Sequence, residues 1–176
     1  MNEHSLLLVL MAATSPVLAQ SGSLSFAGQV TTRTCVVAPG DDESLGPGFL
    51  VALPAVSQHS LSAAGIRGAH TPFFLRVGSS QQPCRQAHVF ARFRNLGDVT
   101  AAGRLTNRGT AGQVEVVVMN HDREDINLNT SANSRVVPID SNLGYGYLEW
   151  YASYYATGAA TPGTVSAAVE YVLEYL

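Results

Sequence analysis

Two cysteines, Cys35 and Cys84, carry the most definite chemistry in this 176-residue chain. They stand 49 residues apart. In an exported protein an even pair argues for one disulfide. Closing a loop of that size stabilises a fold by roughly 4 kcal/mol through chain entropy. The alternative is two unpaired buried thiols. No third or fourth cysteine completes a thiolate zinc site. The histidines, His4, His59, His70, His88 and His121, are scattered, with no i, i+4 pair and no HExxH pattern. Asp122, Glu124 and Asp125 form an acidic cluster, but it lacks the glycine and the terminal bidentate glutamate of an EF-hand loop. A solvated hairpin tip is the reading it supports. No serine lies in a GxSxG elbow, and no glycine-rich phosphate loop follows a strand and opens a helix. The aromatics Trp150, Tyr151, Tyr154 and Tyr155 could in principle form a sugar platform. Alternation puts Trp150, Ala152 and Tyr154 on one face and Tyr151, Ser153 and Tyr155 on the other, so one set belongs to the core. These residues predict no catalysis, no metal and no cofactor.

The export expectation comes from the opening nineteen residues. Leu6 to Ala13 is an apolar run, Pro16 breaks it, and Val17-Leu18-Ala19 places a small residue before a cut. The run is far below the ~18 apolar residues of a membrane span. Met1-Asn2-Glu3-His4 lacks the usual Lys or Arg of such a leader. Residues 1–19 are therefore expected to be a signal peptide, and residues 20–176 suffice for one substantial core. The net charge of −3 is mild, and no basic stretch exists, which argues against nucleic acid and anionic membranes as partners. All ten basic residues are arginine.

The elements that must position these side chains read as strands. Period-2 alternation recurs, bounded by Gly, Pro, Asn and Asp. Leu24, Phe26, Gly28 and Val30 share one parity. Gly48 to Val56 places Phe49, Val51 and Leu53 on one face before Pro54. Phe73 to Val77, Ala87 to Arg94, Val114 to Met119, Arg135 to Ile139, Leu148 to Ala156 and Ala167 to Tyr175 follow. Short helical turns are expected at Ser60–Gly65 and Glu124–Leu128, a turn at Gly144-Tyr145-Gly146, and a surface loop from Asn127 to Asn133. Many short strands without a repeat or a second domain predict an all-β sandwich of immunoglobulin type.

The two ends of the chain bear a resemblance. Leu24-Ser25-Phe26-Ala27-Gly28-Gln29-Val30 precedes Cys35. Near the other end Gly163 is fourteenth from the carboxyl terminus and Tyr175 is penultimate, after alternating Val169, Tyr171 and Leu173. Val51-Ala52-Leu53-Pro54-Ala55-Val56 and Leu61-Ser62-Ala63-Ala64-Gly65 lie between the cysteines. This pattern resembles chaperone–usher fimbrial subunits of the type 1 and P-pilus kind over nearly all of residues 20–176, with Cys84 where the second cysteine belongs.

The resemblance implies an incomplete immunoglobulin-like sandwich that lacks its final strand. The absent strand would leave a hydrophobic groove beside Ala167–Tyr175. In the family a periplasmic chaperone lends a strand to that groove, and the amino-terminal extension of the next subunit then replaces it at an outer-membrane usher. Such strand addition is a known form of β-augmentation. Residues 20–33 would be the donor segment running into the first strand, and residues 34–176 the pilin domain. Leu24, Phe26 and Val30 would fill pockets at period 2, with Gly28 permitting close backbone approach. Each large side chain so buried contributes roughly 1.5–3 kcal/mol. Gly163, Val169, Tyr171, Leu173 and Tyr175 would form the chaperone and assembly motif. Implied partners are the chaperone, the usher and neighbouring subunits, and the implied destination is an extracellular fimbrium. The absence of lysine argues against Gram-positive pilins, which cross-link through lysine side chains. A minor adaptor or terminator subunit and a carbohydrate-binding adhesin module stand as alternatives.

Overall fold

Alternating apolar residues can be buried together only if two sheets turn the same parity toward each other. The computed structural model, which describes residues 35–40 and 48–176, has that form. Its strands are β1 (Val37–Pro39), β2 (Thr71–Gly78), β3 (His88–Arg94), β4 (Leu105–Thr106), β5 (Val114–Asn120), β6 (Val137–Pro138), β7 (Tyr145–Ala156) and β8 (Glu170–Tyr175). One sheet has the order β1-β2-β7-β5-β4 and the other β6-β3-β8. Every registered strand pair is antiparallel.

The twelve-residue β7 holds the larger sheet together. It pairs with β2 along its first part, Phe73 opposite Trp150 and Leu75 opposite Leu148. Its second part pairs with β5, Val116 opposite Tyr154 and Val118 opposite Ala152. In the smaller sheet β3 sets Ala91 against Leu173 and Phe93 against Tyr171 of β8. The core between the sheets is built from Leu75, Val77, Val89, Ala91, Phe93, Val116, Val118, Leu148 and Trp150. A second cluster gathers Leu61, Val114, Tyr154 and Ala156 at one end.

Cys35 and Cys84 are joined by a disulfide, with Cα atoms 5.1 Å apart. The bond ties the residues leading into β1 to the segment after β2. Gly78, the last residue of β2, has φ of +89° and sits in close contact with its neighbours; a Cβ there would lie 2.3 Å from the carbonyl oxygen of Gly144. All-β architecture and the strands at β2, β3, β5, β7 and β8 match the sequence expectation.

Four local expectations need correction. Gly48 to Val56 alternates half-buried and exposed residues, as a strand would, yet joins no ladder among the described residues. Pro54 removes a donor there, and the segment is held by side chains instead. Tyr145 and Gly146 belong to β7 rather than to a turn, because β2 extends to Gly78 and pairs with them. The helical turn falls at Gln58–Leu61 as a 3-10 turn, and Glu124–Leu128 is not helical. The stretch from Asn127 to Asn133 is a surface loop only in part, since Leu128 is fully buried and Asn127 bonds back to Ala132.

Candidate functional site

The apolar parity of β8 faces the other sheet, and Val169, Tyr171, Leu173 and Tyr175 all pack against the core. None of them is fully buried. The same holds for Phe49, Val51, Leu53, Phe73, Val165 and Ala167, which face inward and stay half-buried. These side chains surround a groove of about 520 Å³. Residues 48–53 form one wall and residues 165–171 the other. The floor is Phe73, Phe93, Leu105, Val116, Val118, Trp150, Ala152 and Tyr154. Among the described residues, β8 ends the order of its sheet.

The aromatics of the floor interlock. Trp150 lies 5.5 Å from Phe73 and 5.9 Å from Phe93 between ring centroids, and Phe73 in turn meets Phe49 at 6.2 Å. Tyr154 shapes the first wall. Its ring packs in the second core cluster, while its hydroxyl donates to the Pro54 carbonyl at 3.1 Å. That bond holds the 48–54 segment in place without a β ladder. Burial raises the Tyr154 hydroxyl pKa above its ordinary value.

The second wall is fixed by a backbone clamp before it reaches β8. Loop 107–112 (Asn-Arg-Gly-Thr-Ala-Gly) lies directly against residues 161–166 (Thr-Pro-Gly-Thr-Val-Ser). Arg108 N–H donates to the Ser166 carbonyl at 2.7 Å, and Ala111 N–H to the Thr164 carbonyl at 3.0 Å. Thr110 and Thr164 exchange backbone-to-hydroxyl bonds of 3.1 and 2.9 Å. Contact this close leaves no room for side chains. A Cβ on Gly163 would lie 2.3 Å from the Ala111 nitrogen, and one on Gly109 2.1 Å from the Thr164 carbonyl oxygen. Gly163 is therefore a residue of space rather than of backbone dihedral, since its φ is not in the left-handed region.

Electrostatics plays a small part inside the groove and a larger one at its back. Burial raises the hydroxyl pKa values of Tyr171 and Tyr175; for Tyr175 a hydrogen bond with the Cys35 backbone works the other way. On the outer surface Arg92 of β3 hydrogen-bonds Glu174 of β8 and holds that carboxyl below its ordinary value. The acidic cluster is occupied by arginine. Arg135 bonds Asp122 at 2.6 Å and Glu124 at 2.8 Å, and Arg67 grips Asp125 through two bonds of 2.6 and 2.8 Å. No group of three metal-ligating side chains occurs among the described residues. Trp150 and Tyr154 are core residues, and the outward Tyr151 and Tyr155 lie under Arg123 and Arg104. Their ring faces are thus engaged by cations.

Of the residues singled out from the sequence, the structure brings Val169, Tyr171 and the segment after Gly163 to one groove wall, with Leu173 and Tyr175 continuing its inward face. Leu24, Phe26, Gly28 and Val30 lie outside the described residues. Asn107, Gly109 and Gly112 were not foreseen as site residues, while Tyr154, weighed from the sequence as part of a sugar platform, lines the groove floor instead. The only signal of the first three is two glycines spaced inside a short polar loop.

The major fimbrial subunit SMF-1 of Stenotrophomonas maltophilia is 32% identical to this chain, across 94% of this chain and 99% of the relative. The chain belongs to the fimbrial subunit family. The F17 fimbrial protein of Escherichia coli is also 32% identical, across 93% of this chain and 92% of that protein. Among solved structures, a subunit of a chaperone–usher pilus superposes with a TM-score of 0.60 at 16% identity, covering 92% of this chain and all of that one. No family model matches the chain. The fold is thus that of the chaperone–usher pilins, an incomplete immunoglobulin-like sandwich, and this fimbrial chain is a structural subunit.

Proposed function

We propose that this fimbrial subunit polymerises without covalent bonds, by accepting in its groove a strand from a neighbouring subunit. The observation that carries this reading is the groove itself. It has two segment walls, an aromatic floor and inward side chains that remain half-buried. A single β-strand with large apolar residues at period 2 meets both of its needs. Side chains fill the gap between the sheets, and the strand's backbone extends the sheet that ends at β8.

The donor segment is residues 20–33, whose Leu24, Phe26 and Val30 would fill the neighbour's groove at period 2 while Gly28 permits close backbone approach. The carboxyl-terminal residues Val169, Tyr171, Leu173 and Tyr175 serve first as the site where a periplasmic chaperone lends its strand. Residues 1–19 direct export, an outer-membrane usher mediates exchange, and the product is a fimbrium on the cell surface. The role is structural, with no catalytic step.

The test is a graft. A copy of residues 23–32 is appended through a short flexible linker to the carboxyl end of the chain expressed in a periplasm. The grafted protein is expected to be a monomer that unfolds at a clearly higher temperature than the unmodified chain, which aggregates or melts early. An unmodified chain that is already a stable monomer, and gains nothing from the graft, overturns strand acceptance.

A further inference from the structure

Within the clamp that fixes the wall beginning at Val165, one side chain bonds both the loop and the wall. Asn107 uses both ends of its amide on backbone groups. Its Oδ1 accepts from Gly109 N–H at 2.8 Å and from Ser166 N–H at 2.9 Å. Its Nδ2 donates to the Ala111 carbonyl at 2.9 Å and to the Thr164 carbonyl at 3.4 Å. Two of these four partners lie in its own loop and two in the groove wall. Asn107 follows directly on β4, whose Leu105 lies in the groove floor and pairs with Val116 of β5. The side chain thus stands between a strand of the floor and the first residues of the wall.

We infer that Asn107 is the positioning residue of the groove: it holds the wall at Thr164–Ser166 so that the groove stands ready before a strand arrives. Residues 164–169 have no β ladder of their own. Their place depends on the clamp, in which Thr110, Thr161 and Thr164 each bond across from one side and, among the described residues, Asn107 bonds both its own loop and the wall from one side chain. A wall that wanders makes the binding-competent form a minority, and apparent affinity falls by that fraction. Once a strand is seated, its own contacts hold the wall, so release depends little on Asn107. Loss of Asn107 therefore acts on capture rather than on release. A residue that merely stabilised the fold would act on global unfolding instead.

The inference rests on the strand-accepting reading above, and the experiment separates the two. The probe is a fluorescent synthetic peptide of residues 21–33, added to the full chain freshly diluted, at low concentration and low temperature, from the denaturant that strips any chaperone. Association and dissociation rates are measured for wild type, Asn107→Ala and the milder Thr164→Val, which removes one side-chain acceptor of the clamp. If the competent wall falls to about a tenth of the population, N107A captures the peptide about tenfold more slowly. Release is expected to stay within about twofold. T164V should shift capture in the same direction by less, which covers the case in which N107A does not fold. Amide exchange should quicken at Gly109 and Ser166 in N107A and stay unchanged in β5 and β7. Wild-type capture with equal capture rates in both variants overturns the positioning role alone. Faster release or early global unfolding, with capture unaffected, reduces Asn107 to a structural residue and overturns it as well. A wild-type chain that captures no peptide overturns strand acceptance, and the positioning role with it.

Discussion

At the scale of single residues, the groove depends on what is absent from Gly163 as much as on what its neighbours contribute. The three atoms nearest a Cβ at this position would all be backbone, the Ala111 nitrogen at 2.3 Å, the Thr110 carbonyl carbon at 2.5 Å and the Ala111 Cα at 2.7 Å. Backbone cannot rotate out of the way as a flexible side chain can. Overpacking of this kind costs about 1–3 kcal/mol. Gly163→Ala is therefore expected to lower the melting temperature by roughly 2–12 °C for a domain of this size. Gly48 is the control, because nothing lies within 4 Å of where its Cβ would stand. Gly48→Ala should melt with the wild type. Thermal unfolding by circular dichroism decides, and a Gly163→Ala chain that melts with the wild type would refute the steric account.

At the scale of elements, β8 is a strand with two tasks. Its inward parity packs on the core through Tyr171, Leu173 and Tyr175, and its outer face is tied to β3 through Arg92 and Glu174. Burial raises the hydroxyl pKa values of Tyr171 and Tyr175 in the folded chain. A group whose folded value is raised contributes stability that is intact below the unfolded value, about 10 for tyrosine. That contribution is lost as pH climbs through the folded value. Stability is thus expected to decline above about pH 10. Filling the groove buries Tyr171 further, since it lines the wall. The grafted chain should therefore show its tyrosinate absorbance at higher pH than the ungrafted chain. Coincident titration curves would mean that the appended strand does not cover Tyr171.

At the scale of the whole molecule, the sandwich is a unit whose inward side chains are not all covered. If residues 20–33 are the donor as proposed, the chain is expected to associate with copies of itself in a head-to-tail sense, since the groove is formed by other residues. Heterologous contacts of that kind do not close on a two-fold axis, and they propagate as filaments or rings. Phe26→Asp tests the donor side. A buried carboxylate without a partner is costly, so the variant should fold and bind a chaperone yet fail to form fibres in electron micrographs. Normal fibres from Phe26→Asp would remove Leu24–Val30 from the donor role.

The amino-acid sequence by itself determined the alternation, and with it the identity of nearly every inward residue. Val89, Ala91 and Phe93 oppose His88, Phe90, Arg92 and Arg94, because a period of 2 leaves a strand one choice of face once a core exists. The even pair of cysteines likewise pointed to the Cys35–Cys84 bond. Tertiary structure decided the rest. Gly48 to Pro54 has a strand's alternation but becomes a groove wall, because its partners are the floor side chains and, at Pro54, the Tyr154 hydroxyl, all distant in sequence. Loop 107–112 and residues 161–166 meet backbone to backbone, a contact that no local propensity encodes. Periodicity reports what each segment turns inward; only long-range packing settles whether something already lies there.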